Sequence, residues 1–426
     1  MAKRAMHMNP NCLPHAMPDE PCWSLDIAVQ TGAPFVSGLT PIEVSIACQG
    51  ASSPPVCRLR IEFPGSGHAT TEKQLVVQDG RAACRFAIHS HLLANGENRF
   101  DVQLLDANNA VVAIRRGQLP VRNVGNIAAQ VRASLMRGKV PLVLDGPTDA
   151  GLYDYADATL TPWFDRPDAA KTVHDWVSAR KITLAEAEIL LGFVADGYMI
   201  LPGLIEDDLL NQVNREIDDV IATGYQGYEA GSGKRLEHLH NVYPGARKLW
   251  MHPRVLHFLD LIFAAPARPC QSLTFICGSE QNAHQDTIHL TPFPAGYMCG
   301  VWMALEDVQP GSGELEVYPG SHRLPRMYMK DTGARKVTDG NWDEFSDKVG
   351  KRWEALRDNG QYQSMVYRPQ RGTVLIWHEN LMHAGGRRQD RSLSRRSIVT
   401  HNFAEGALVF YDSTGSIGYT FGRDAI

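Results

Sequence analysis

The sequence predicts two β-rich domains: an N-terminal immunoglobulin-like β-sandwich, then a larger α+β domain on a curved antiparallel sheet. Three observations predict this. The chain has 426 residues, too many for one average domain. Between residues 23 and 122 it runs in short alternating apolar segments. After residue 183, helical periodicity gives way to further strand-like runs.

The sandwich rests on seven runs: Leu25–Gln30, Ile42–Cys48, Cys57–Phe63, Lys73–Val77, Ala83–Ile88, Arg99–Leu105 and Val111–Arg116. Gly, Pro, Asn and Asp separate them at roughly ten-residue spacing, as sandwich turns require. Asp106–Asn109 is expected to close a hairpin between the last two runs. Residues 1–22 lack periodicity and are expected to form a flexible arm. A connector over 124–182 carries helical pieces at Ile127–Arg137 and Asp168–Ser178.

The second domain spans 183–426. Thr183 and Glu186 have the spacing of a capping box, which predicts a helix start. A second helix is expected over Glu206–Ala222, with Leu209, Val213, Ile217 and Val220 on one face and Asp218 and Asp219 in water. Gly197–Gly203 reads as a short strand and turn. Strands follow at Ser272–Cys277, Tyr297–Leu305, Gly313–Tyr318, Gly372–Trp377 and Arg396–Phe403. A charged, helix-prone insertion over 326–362 interrupts them, and such insertions often cover a sheet mouth.

Composition narrows the function classes. A net charge of −5 gives no electrostatic footprint for nucleic acid, so no nucleic-acid partner is expected. No run of eighteen apolar residues exists, so no membrane span is expected. The polar start and the Pro and Asn residues behind it do not read as a signal peptide, and a cytoplasmic location is the default expectation. The eight cysteines show no metal-ribbon spacing. A disulfide among Cys48, Cys57 and Cys84 is one reading; buried thiols in a reducing compartment is the favoured one.

The chemistry-bearing residues lie in the second domain. His284 and Asp286 stand two apart, so at a strand end both side chains point the same way. Alone this says little, since about one H-x-D is expected by chance in a chain with this His and Asp content. About one hundred residues later His383 follows the apolar strand ending at Trp377. Two imidazoles and a carboxylate on one face of an octahedral ion leave three positions open, the set that non-haem Fe(II) oxygenases use. Arg395 follows, where a guanidinium could clamp a dicarboxylate bidentately.

In this order the motifs resemble the phytanoyl-CoA dioxygenase family. They are H-x-D at 284–286, Trp302 to Asp307, Gly313 through the P-G-S-H turn ending at His322, His383 with Gly385, and Arg395. The resemblance covers roughly residues 190–405. It implies a double-stranded β-helix (jelly-roll, cupin-like) core, Fe(II), 2-oxoglutarate as co-substrate, and O2. It matches His284, Asp286 and His383 to the iron ligands and Arg395 to the arginine that pairs with 2-oxoglutarate. Trp302 matches a tryptophan of the co-substrate pocket. His322 falls in the family's turn, where a buried structural role is favoured.

Arg396 is the alternative to Arg395, set aside because it should point away along the following strand. Ser392 and Ser394 are candidate hydroxyl helpers for the same carboxylate. His289 and His378 are expected to support the ligands rather than to bind metal. The resemblance implies oxidative decarboxylation to succinate and CO2 with hydroxylation of a substrate carbon. Asp286, where related halogenases have a small residue, argues for hydroxylation.

Two other readings remain. One is a metal-binding jelly-roll without oxygenase activity, or one using zinc. The other is a glycan-binding or assembly protein acting through its sandwich. Loops 223–250 and 326–362 hold Lys234, Arg235, His238, His240, Arg247, Lys248, Arg326 and Lys330 among Tyr243, Trp250 and Tyr328. This mixture favours a polar, anionic or carrier-linked small-molecule substrate. A glycan or protein partner for the sandwich, and a homodimer, complete the expected partners.

Overall fold

The computed structural model describes residues 22–29, 35–49 and 57–423. The arm expected over 1–22 lies outside these residues but for Cys22. The chain divides into two compact units, the first reaching Thr148 and the second formed mainly by residues 155–424.

In the first unit all seven alternating runs are strands: Cys22–Val29 (β1), Leu39–Gln49 (β2), Cys57–Glu62 (β3), Thr71–Leu75 (β4), Arg81–His89 (β5), Gly96–Leu105 (β6) and Val111–Val121 (β7). They form two four-stranded antiparallel sheets, ordered β1-β2-β5-β8 and β4-β3-β6-β7, where β8 is Val143–Leu144. Alternation explains the packing. In β3, Cys57, Leu59 and Ile61 are buried, while Arg58, Arg60 and Glu62 are partly exposed. At the β6–β7 turn, Asp106 Oδ1 accepts from the amides of Asn108 and Ala110, both at 2.8 Å.

This unit is longer than the 23–123 expected. The helix Gly125–Arg137 (α1) buries Val131 and Leu135, and β8 pairs with β5. These two elements therefore belong with the sheets rather than to a connector. Cys57 is buried and Cys84 half-buried, and no disulfide joins them.

The second unit opens with Ala169–Ser178 (α2), then Leu184–Asp196 (α3), which starts in the expected capping box of Thr183 and Glu186. The following strand is Tyr198–Leu201 (β9). Asp207–Thr223 (α4) buries Leu210, Val213, Ile217 and Val220. Leu210 replaces Leu209 at the head of the expected stripe, because 210, 213, 217 and 220 keep the helical spacing on one side.

The β framework follows: Leu236–Glu237 (β10), Ala267–Phe275 (β11), Thr291–Phe293 (β12), Met298–Ala304 (β13), Leu315–Val317 (β14), Met365–Tyr367 (β15), Val374–His378 (β16), His383–Gly385 (β17), Ser397–Ala404 (β18), Leu408–Tyr411 (β19) and Ser416–Ile417 (β20). A six-stranded antiparallel sheet runs β10-β11-β18-β13-β16-β9, and a three-stranded sheet runs β15-β14-β17. Leu273, Phe275, Trp302, Leu315, Val317, Tyr367, Leu375 and Val399, drawn from both sheets, share one core. This is the jelly-roll arrangement. Segment 326–362 packs Met329, Val337, Phe345, Val349 and Trp353 against Ala283, Ile288, Met382 and Ala384, so the insertion is seated on the loops that carry the site. Among the described residues no helix is long and apolar enough to cross a membrane.

Candidate metal centre and co-substrate pocket

His284 and His383 are brought together by the backbone itself. Each amide donates to the other's carbonyl at 3.0 Å, an isolated antiparallel bridge across 99 positions of sequence. Directly opposed residues present their side chains on one face, and the two rings lie 4.3 Å apart between centroids. Asp286 is set beside them by its amide, which donates to the Glu379 carbonyl at 3.0 Å. The three side chains offer ligand atoms within 4.8 Å of one another, all buried.

The hydrogen bonds orient these groups for a cation. His284 Nδ1 lies 2.9 Å from the Asn282 carbonyl, and His383 Nδ1 lies 3.0 Å from that of Leu381. A ring that donates from Nδ1 to a carbonyl keeps the Nε2 lone pair for a metal. Both Nε2 atoms face Asp286 Oδ1, at 3.6 and 3.9 Å. Burial, and then the neighbouring His383, push His284 down to about 3, so it is neutral at pH 7. Burial opposes ionisation of Asp286, but the imidazoles of His383, His401 and His284 and the Trp377 N–H bring its carboxyl down to about 2. Two imidazoles and one carboxylate is the donor set that a divalent ion needs.

The triad opens into a cavity of about 610 Å³ that Trp302 and Arg395 also line. Arg395 is buried, and its Nη1 donates to the Gly313 carbonyl at 2.8 Å. Its guanidinium carbon sits 5.9 Å from the Phe275 ring centroid and 5.8 Å from that of Trp302. Burial pulls Arg395 down to about 10, which leaves it cationic at neutral pH. Among the described residues its Nε and the Trp302 Nε1 are buried without a hydrogen-bond partner. A buried guanidinium with an unsatisfied donor is costly unless an anion meets it. These residues therefore fit a dicarboxylate whose far end reaches Arg395 while its other end reaches the triad.

Arg396 turns the other way, to Asp218 at 2.8 Å and to Asn214. Ser392 is exposed on Asp390, and neither it nor Ser394 lines the cavity. The reason is local: both precede the strand, Ser392 in the turn at 391–392 and Ser394 in the irregular stretch after it. His322 and His378 are buried against each other, 5.4 Å between centroids, away from the cavity. His289 does line it, with Nδ1 3.2 Å from the Ser413 hydroxyl.

Residues not singled out from the sequence complete the wall. His401 reaches Asp286 Oδ2 at 3.8 Å and Gln271 at 3.1 Å. It was legible in principle, because 395, 397, 399 and 401 share one side of an extended run. Trp377 donates from Nε1 to Asp286 Oδ2 at 2.9 Å. The segment 326–362 contributes Trp342, Phe345 and Trp353. Of the basic residues expected at the mouth, only Arg235 lines the cavity. Arg326 is instead half-buried between Glu379 and Asp165, 2.7 Å from each.

Residues 193–397 match the family model for phytanoyl-CoA dioxygenase (PhyH). This segment is similar to phytanoyl-CoA dioxygenase domains. The matched segment holds the triad, Trp302 and Arg395, and ends as β18 begins. A zebrafish (Danio rerio) phytanoyl-CoA dioxygenase domain-containing protein 1 is 33% identical over 121 residues, 27% of this chain and 38% of that protein. Its bovine (Bos taurus) namesake is 24% identical over 267 residues, 50% and 86% of the two chains. The human (Homo sapiens) peroxisomal phytanoyl-CoA dioxygenase is 25% identical over 140 residues, 32% and 37%. The chain thus spans well under half the length of two of these three relatives. Among solved structures, the carbocyclase SnoK from nogalamycin biosynthesis superposes with a TM-score of 0.43 at 18% identity, covering 53% of this chain and 86% of that one. EctD from S. alaskensis, with 2-oxoglutarate and 5-hydroxyectoine, gives 0.39 at 16%, covering 52% and 76%.

Proposed function

We propose that the PhyH-like segment is an Fe(II)- and 2-oxoglutarate-dependent oxygenase that hydroxylates a carbon of a small polar substrate. One observation carries the reading: the Nε2 atoms of His284 and His383 and Oδ1 of Asp286 face one point in the cavity that also holds a buried, under-satisfied Arg395. When bound, iron, 2-oxoglutarate and O2 supply an oxidative decarboxylation to succinate and CO2 that is coupled to oxidation of a substrate carbon.

The chain's own residues have distinct parts in this scheme. His284, Asp286 and His383 hold the metal. Arg395 pairs with the distal carboxylate of 2-oxoglutarate. Trp302 and Phe275 wall that carboxylate off from water, which strengthens the ion pair. The zinc or oxygenase-free reading leaves Arg395 without a partner and is disfavoured for that reason. The first unit is proposed to be an immunoglobulin-like module for a glycan or protein partner, and the buried thiols fit a reducing, cytoplasmic setting.

The test is anaerobic addition of Fe(II) and then 2-oxoglutarate, watched for the weak visible charge-transfer band, followed by succinate formation in air. Asp286→Ala and His383→Ala should each abolish both. Near-normal succinate formation by either variant overturns the assignment.

A further inference from the structure

Beyond the triad and Arg395, the cavity has a second region with its own chemistry. One wall is a continuous set of rings. His289 lies 5.7 Å from Trp342, 5.1 Å from Phe345 and 6.0 Å from Trp353 between centroids. Trp342 and Phe345 are 5.3 Å apart, Phe345 and Trp353 5.9 Å. Trp353 also stands 6.1 Å from the ligand His284, so the ring wall begins at the metal centre.

Three features indicate that this wall is for contact rather than for packing alone. Trp342 is 40% exposed although it edges a cavity, an unusual position for the largest apolar side chain. Ser346 and Gly350, the small residues between the rings in sequence, line the same space and leave it open. Trp353 is held in orientation by donating from Nε1 to Gln285 at 3.3 Å, and Gln285 is the residue between two of the ligands.

The charge at the mouth is Arg235. It lines the cavity and among the described residues is paired with Glu237, at 3.4 Å, with both side chains about half exposed. Arg235 shares the cavity lining with His289 and His401, so its guanidinium stands in the same chamber as the two imidazoles. The acid at this rim, Glu354, is exposed.

Resting on the oxygenase reading above, we propose that the substrate is a small molecule with a flat unsaturated ring and an anionic group. The ring lies along Trp342, Phe345 and Trp353, and the carboxylate or phosphate meets Arg235. Offset stacking on an aromatic ring adds attraction beyond area burial, and a flat ring collects it from three neighbours where a puckered one does not. The cavity of about 610 Å³ lies in the small-molecule range.

The experiment uses the full chain loaded with Mn(II) and 2-oxoglutarate, with calorimetric titration of indole-3-acetate and phenyl phosphate. Comparison ligands are indole-3-acetamide, cyclohexylacetate and phenyltrimethylammonium. The ring anions should bind at least about tenfold more tightly than the neutral amide and the saturated acid. Arg235→Ala should bring acid and amide to the same affinity. Trp342→Ala should weaken acid and amide together by about fivefold and leave their ratio unchanged. Equal binding of acid and amide, tighter binding of the cation, or no binding of any ring anion overturns the substrate class. The charge-transfer band with Fe(II) and 2-oxoglutarate is measured on the same preparation. A sample that forms the band and refuses the ring anions fails this proposal alone, whereas one that forms no band fails the oxygenase reading.

Discussion

The indole Nε1 of Trp377 donates to Oδ2 of Asp286 at 2.9 Å, while Oδ1 of the same carboxylate faces both imidazoles. One oxygen is thus tied to the protein and the other is presented to the metal site. The indole reaches this position because residue 300 is glycine. A Cβ there would stand 2.1 Å from the Trp377 ring.

Removing that donor should loosen the carboxylate without unfolding the sheet. Trp377→Phe is expected to lower iron affinity about 10- to 100-fold, the usual cost of losing a hydrogen bond behind a metal ligand. Competition with a chromophoric chelator measures it. Gly300→Ala should cost about 1–3 kcal/mol by overpacking, and much less in a Trp377→Ala background. A denaturation cycle that shows simple additivity would contradict the contact.

Arg395 and its neighbour should separate cleanly. Arg395→Lys is expected to raise KM for 2-oxoglutarate about 10- to 100-fold, since a lysine loses the planar fork and a charged hydrogen bond contributes about 1.5–3 kcal/mol. Arg396→Ala breaks contacts with Asp218 and Asn214, away from the cavity, and should change KM less than about twofold. Succinate release at varied 2-oxoglutarate reads both. A larger effect at 396 would exchange their roles.

Arg326 is half-buried between Glu379 and Asp165, at 2.7 Å from each. Truncating it strands two carboxylates, so Arg326→Met should destabilise the second unit by about 3–5 kcal/mol. The Glu379 carbonyl also receives the Asp286 amide, so iron affinity should fall with it. Urea unfolding followed by tryptophan fluorescence tests the first effect.

His89 supplies a pH dependence away from the metal. It is buried, with Nδ1 2.7 Å from the Pro141 carbonyl and Nε2 2.9 Å from the Tyr153 hydroxyl, and burial lowers it to about 4. The unfolded state, near pKa 6.5, therefore binds more protons between those values. Stability of the first unit should be full above about pH 6.5, fall as pH drops towards 4, and level off below, by about 3 kcal/mol in all. Melting curves from pH 8 to 4 should show this slope, and His89→Gln should flatten it.

Much of the architecture was readable along the chain because it is encoded locally. Alternation in β3 and β5, the Asp106 turn and the Thr183–Glu186 capping box each depend on neighbours within a few residues. The triad was readable for a different reason, since its residue types and order are rare in combination. The extent of the first unit was not readable: α1 and β8 join it through contacts with residues some fifty positions earlier.

From sequence alone came the strand and helix series, the set His284, Asp286, His383 and Arg395, and the expectation of iron and 2-oxoglutarate. Only the tertiary structure decided that Arg395 and not Arg396 faces the cavity, that His401 and Trp377 stand behind Asp286, and that Arg326 bridges two carboxylates in a salt-bridge network. It alone placed Trp342, Phe345 and Trp353 along the chamber. Periodicity reports which side of an element is apolar, within reach of a few bonds. Which side chains meet across a cavity depends on how sheets and insertions pack, and that is settled by the burial of the whole chain.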